Sequence, residues 1–111
     1  MVNRNKLKGD RAEREAAALV SELLGVSARR ALGAGRLDDV GDIHGVPDTA
    51  IQVCDWQDLA QALRIKPVAA EVQAANARVP YSVAFIRLRG GEFRACMTVD
   101  AWAAMWREAT A

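Results

Sequence analysis

Hydrophobic spacing changes along this chain from helical to alternating and back, and the order of those changes restricts the folds open to it. Residues 10–24 place Ala16, Leu19, Val20, Leu23 and Leu24 at three- and four-residue intervals, with Gly25 behind them as a stop, so a helix is predicted there. A short strand at 27–32 and a flexible break at Gly33-Ala34-Gly35 follow. Residues 40–46 read as a strand entering a Pro47-Asp48 turn, and 50–55 as a second strand beyond it. Residues 56–78 are helical in composition, with Leu59, Ala62 and Leu63 on one stripe and Val68, Val72 and Ala75 on another. Pro67 is predicted to divide them into a helix ending near Arg64 and a second over 67–77, because proline suits a first helical position. Strands at 81–88 and 92–99 flank Arg89-Gly90-Gly91, a hairpin signal. Asp100 then caps a helix over 101–109 that presents Trp102, Met105 and Trp106 to the core. The order α-β-β-β-α-β-β-α implies an α/β fold, a small mixed sheet flanked by helices.

With 111 residues, 51% of them hydrophobic, the chain is expected to form one domain over 1–111 whose core needs no disulfide or structural metal. Cys54 and Cys96 are read as buried reduced thiols, since two cysteines inside alternating runs make no zinc framework. No apolar stretch reaches the roughly 18 residues of a membrane span, and residues 1–11 are polar and basic rather than a secretory leader, so a soluble cytoplasmic protein is expected. Fifteen Lys plus Arg nearly balance 14 Asp plus Glu, but they are unevenly spread. Arg4, Lys6, Lys8, Arg11 and Arg14 crowd the N-terminus, where residues up to about 11 form a basic arm, while residues 41–60 hold four Asp and no Lys or Arg. An acidic spot among basic flanks suits a metal-dependent enzyme acting on a polyanion, although charge alone reads equally well as a solvated surface.

Glu13 lies within about 40° of the direction of Val20 and Leu24 at about 100° per residue, so it points inward from its helix while Glu15 faces solvent. An inward carboxylate there is a cap, an ion-pair partner or part of a site. Asp42 precedes a turn, and ten residues later period two puts Gln52 and Cys54 on one strand face with Ile51 and Val53 on the other. Carboxylate, amide and main-chain carbonyl oxygens from Asp42, Gln52 and Val53 are hard ligands of the kind Mg²⁺ accepts while keeping several waters.

These motifs, Lys8-Gly9-Asp10-Arg11-Ala12-Glu13-Arg14, Gly41-Asp42-Ile43 and Ile51-Gln52-Val53, resemble the PD-(D/E)XK nuclease superfamily, and within it the archaeal and phage Holliday junction resolvases. The resemblance spans roughly residues 4–99. It implies a restriction-endonuclease-like core and a Mg²⁺- or Mn²⁺-dependent hydrolase that cuts phosphodiester bonds in branched DNA during recombination. It implies a homodimer in the cytoplasm of a bacterium or a phage-infected cell. Asp42 becomes the chief metal ligand, Glu13 supports the site from the helix, and Gln52 stands where the family usually has Glu. Arg4, Lys6, Lys8 and Arg11 would hold backbone phosphates without reading bases.

Cys54 departs from the pattern, because it occupies the family's catalytic Lys position and a thiol carries no positive charge. Lys66 on the next helix is the candidate replacement; the alternative is a silenced nuclease fold acting as a DNA-binding or inhibitor protein. Gln73 is placed like a polar residue that many family members aim at the site, or is structural. His44 shares the face of Asp42 and is either a transition-metal ligand with Cys54 and Asp42 or a hydrogen-bonded hairpin residue. Arg87, Arg89 and Arg94 around the last hairpin bind phosphates or are solvated.

Overall fold

The computed structural model describes residues 3–31 and 41–111. The Gly33-Ala34-Gly35 break and the start of the strand expected at 40–46 lie outside the described residues. Helix α1, Arg4–Leu24, begins well before residue 10 because the Asn3 side chain accepts hydrogen bonds from the Asn5 and Lys6 amides. The basic stretch expected as an arm is thus the opening turns of α1. The helix ends as predicted at Gly25, whose φ of 67° suits a left-handed cap.

Among the described residues five strands follow the expected order, β1 (Arg29–Arg30), β2 (Ile43–His44), β3 (Thr49–Cys54), β4 (Tyr81–Arg87) and β5 (Phe93–Cys96). They form one sheet ordered β1-β2-β3-β4-β5. Only β3 and β4 run parallel, in register from Thr49 opposite Tyr81 to Cys54 opposite Ile86, and the other neighbours are antiparallel. A parallel pair needs a crossover, and helix α2 (Leu59–Ala77) supplies it.

The two faces of β3 meet different helices. Ile51 and Val53 pack with Ile43, Val83 and the α1 residues Ala12, Ala16 and Ala17, whereas Cys54 packs with Ala84, Ile86 and Ala62 of α2. Small side chains on both helices let the backbones approach the sheet closely, so Ala16, Val20 and Ala62 of the expected stripes are buried but their larger members are not. Leu19, Leu23 and Leu24 of α1 and Leu63, Val68 and Val72 of α2 are exposed, while Ala62, Ala70, Gln73 and Ala74 are buried.

Two further expectations are corrected. Pro67 lies inside α2, buried, and the helix continues through it; docking of the alanine face on β3 and β4 outweighs an interior-proline penalty of about 3 kcal/mol. Helix α3 (Val99–Ala109) is capped by Thr98, whose side chain accepts from the Ala101 amide, and not by Asp100. It docks through Ala101, leaving Trp102 and Trp106 more than half exposed with ring centroids 6.5 Å apart. Among the described residues no helix is long and apolar enough to cross a membrane.

The turn between β2 and β3 depends on Gly45, with φ of 102°. A Cβ there would stand 2.3 Å from the Ser27 carbonyl oxygen. Gly45→Ala is expected to cost about 2 kcal/mol, since positive φ alone costs an L-residue about 1–2 kcal/mol. A lower urea midpoint at constant m-value measures it; an unchanged midpoint would show that the turn relaxes freely.

Candidate functional site

The polar centre of the fold is built where β2 meets β3. The Asp42 amide donates to the Ile51 carbonyl over 2.8 Å, its own carbonyl accepts from the Ala31 amide at 2.8 Å, and its Oδ2 accepts from the Val53 amide at 2.8 Å. The side chain therefore continues the ladder that the backbone begins. The same Oδ2 accepts from Gln52 Nε2 at 3.0 Å, and Gln52 Oε1 accepts from Gln73 Nε2 on α2. Gln52 and Gln73 are 8% and 2% exposed, so this relay from strand to helix is screened from water. Gln73 is thereby placed at the polar centre, one of the two readings left open for it.

Cys54 follows Gln52 on the same face and is buried and free; Cys96 is free and half-buried. Burial pushes the Cys54 thiol above its ordinary value, the Lys66 ammonium opposes that, and Asp55 and Asp42 reinforce it. At neutral pH the thiol is therefore uncharged. Lys66 rises from α2 with Nζ 4.5 Å from the centroid of the Trp56 ring, a cation–π contact that holds the ammonium near the end of β3. Asp42, Gln52, Cys54 and Gln73 thus lie together on the α2 side of the sheet, with Lys66 beside Cys54.

Glu13 belongs to a different group. Its Oε1 accepts from Arg30 Nε at 3.2 Å, and Arg30 Nη2 also donates to Asp10 at 2.8 Å, in the α1 layer across the sheet from Gln52. The ion-pair reading is what the geometry shows. His44 has a buried Nε2 without a hydrogen-bond partner, and among the described residues no three His, Cys, Asp or Glu side chains are grouped to hold a metal. The His44-Cys54-Asp42 metal site is accordingly not assembled.

A second charged cluster, unforeseen in the sequence, stands at the carboxyl ends of β3 and β4. Asp55, its side chain 8% exposed, has Lys8 Nζ, Arg11 Nη2 and Arg87 Nη1 each 3.8 Å away. Arg87 Nε also donates to Glu15 over 2.8 Å, which holds the Glu15 carboxyl below its ordinary value, so Glu15 is an ion-pair partner rather than a solvated residue. The signal available was the Lys8, Arg11, Glu15 spacing of three and four, which puts all three on one helix face. Lys6 pairs with Asp10 at 3.1 Å and Arg94 with Glu92 at 3.1 Å, while Arg4, Lys8, Arg11 and Arg14 line one shallow groove along α1. Comparison with protein-family models, curated proteins and solved structures returns no match.

Proposed function

We propose that this chain is a metal-dependent DNA endonuclease of the PD-(D/E)XK class, with a restriction-endonuclease-like core, acting on branched DNA as Holliday junction resolvases do. The observation that carries the reading is the Asp42–Gln52 pair joining β2 to β3, with the Lys66 ammonium held against Trp56 just past the end of β3. The donor set fits Mg²⁺ or Mn²⁺. The amide and carbonyl of one strand residue point to the same side, so a Val53 amide bonded to Asp42 brings the Val53 carbonyl to the Asp42 side as well. Gln52 turns its Nε2 to Asp42 and its oxygen to Gln73, so it orients the carboxylate rather than adding an oxygen, and a cation held by Asp42 and the Val53 carbonyl would keep its remaining waters. When bound, the ion supplies a water of lowered pKa and neutralises phosphoryl charge.

Within that chemistry Asp42 holds the cation, Gln52 and Gln73 fix the carboxylate's orientation, and the Lys66 ammonium stabilises charge on the phosphoryl oxygens. The α1 groove lined by Arg4, Lys8, Arg11 and Arg14 holds backbone phosphates without reading bases. Exposed Val72, Trp102 and Trp106, on the neighbouring helices α2 and α3, supply apolar surface for the homodimer that two symmetric cuts require, in the cytoplasm of a bacterium or an infected cell. Cys54 favours a second reading, a silenced nuclease fold that binds DNA or inhibits a partner protein.

Incubation of labelled four-way junction, flap, single strand and plain duplex with Mg²⁺ or Mn²⁺ at low salt separates the two. Wild type is expected to cut near the branch, and Asp42→Ala to bind DNA without cutting. Binding without a cut by the wild type would favour the silenced fold.

A further inference from the structure

The Asp55 cluster has features that the endonuclease reading leaves unused. Two cavities, of about 380 and 490 Å³, lie outside the carboxyl ends of the parallel strands β3 and β4, the usual place for a ligand in such sheets. Lys8, Asp55, Trp56 and Gln57 line both. Val53 and Cys54 line the second as well. Each volume falls within the range of about 300–1,000 Å³ that holds small-molecule-sized groups.

Three properties define what fits. First, charge: Lys8, Arg11, Arg87 and Arg89 stand against Asp55 and Glu15 around the first cavity, four positive against two negative, and Asp58 on the second leaves a surplus of one over both. Second, Asp55 Oδ2 is buried and makes no hydrogen bond, because both guanidinium groups near it stop at 3.8 Å. A buried carboxylate oxygen of this kind calls for a donor, which reaches it once the half-exposed Arg11 guanidinium swings out to a phosphate, and donors between such cations are what a base edge carries and a bare phosphate lacks. Third, Trp56 is 38% exposed and borders both cavities, an apolar ring where a base can stack.

We infer that this pocket takes one unpaired nucleotide of a DNA strand, its two flanking phosphates among Lys8, Arg11 and Arg89, its base on Trp56 and a base N–H on Asp55 Oδ2. The inference rests on the branched-DNA reading and deepens it: a nucleotide can leave the stack at a branch point, and the pocket recognises branching through it. Paired duplex keeps its bases stacked and offers the pocket phosphates only.

The test is metal-free equilibrium binding in EDTA by the full chain, with fluorescently labelled duplexes that are continuous, carry one unpaired central nucleotide, or carry one abasic unpaired position. Wild type is expected to bind the unpaired nucleotide on the order of tenfold more tightly than either control. Trp56→Leu and Asp55→Asn should each remove most of that preference, and Arg89→Ala, at an exposed site that leaves the Arg87–Glu15 pair intact, should weaken the unpaired probe more than the continuous one. Equal affinity of folded wild type for all three duplexes would overturn the pocket, as would an undiminished preference in Arg89→Ala and Trp56→Leu together. A chain that prefers the unpaired nucleotide yet cuts nothing with Mg²⁺ keeps the pocket and loses the nuclease; one that cuts without the preference does the reverse.

Discussion

Lys66→Ala is expected to slow metal-dependent cleavage by about 10²–10³-fold, the usual effect of removing one preorganised group that faces developing charge, while DNA binding stays within a few-fold. The ammonium sits 4.5 Å from the Trp56 centroid and acts on the Cys54 thiol from the neighbouring helix. On the proposed endonuclease reading, it serves the region that a lysine at position 54 would serve. Cys54→Lys placed in the Lys66→Ala background is expected to recover most of the lost rate. Its side chain leaves β3 on the Gln52 face, and Cys54 borders a cavity through which a flexible four-carbon stem can carry its charge outward. Overpacking at this buried position costs about 1–3 kcal/mol, which a melting curve of the variant would register. Full activity in Lys66→Ala would sink the lysine-migration idea. An inert double variant that still binds metal would do the same for the claim that one positive charge is all Cys54 lacks. If wild type is silent and Cys54→Lys alone begins to cut, the silenced-fold reading stands and the loss is assigned to one residue.

The part of this centre that was legible in the sequence is the part set by strand periodicity. Alternation over Ile51-Gln52-Val53-Cys54 puts Gln52 and Cys54 on one face whatever packs there, and the hairpin through Pro47-Asp48 brings Asp42 back beside them. The element order was legible for the same reason, since each change of hydrophobic period marks a boundary. What escaped was decided by contacts distant in sequence. Glu13 points inward as its helical phase requires, but periodicity does not say that Arg30 would meet it 17 residues later. Pro67 carries a local signal to break the helix, and the sheet beneath α2 overrides it. Trp102 and Trp106 have core-like chemistry at helical spacing, yet Ala101 is the residue that α3 buries. The Asp55 cluster needed three elements, α1, β3 and β4, to converge, and no local pattern encodes such a meeting.

The amide relay is expected to behave as a single unit. Gln52→Leu removes the donor that Asp42 Oδ2 accepts and takes from Gln73, 2% exposed, its Gln52 acceptor. Disrupting buried polar groups in this way costs about 1–3 kcal/mol apiece, so a loss of about 3 kcal/mol is expected, a factor on the order of a hundred in the folding equilibrium. Gln73→Leu removes the donor to Gln52 Oε1 and should cost about 2 kcal/mol. The double variant replaces both amides by apolar groups of similar size that can pack against each other between β3 and α2. It should therefore lose at least about 1 kcal/mol less than the sum of the single losses, the signature of directly coupled residues in urea unfolding. Cleavage should not follow stability. The double variant recovers packing but not the hold on the Asp42 carboxylate, so it should cut no faster than Gln52→Leu despite being relatively better folded. Strict additivity of the two substitutions would show that the strand-to-helix bond contributes nothing as a pair. Activity recovering with stability in the double variant would show that the amides support the fold and that Asp42 needs no help from them to hold its orientation.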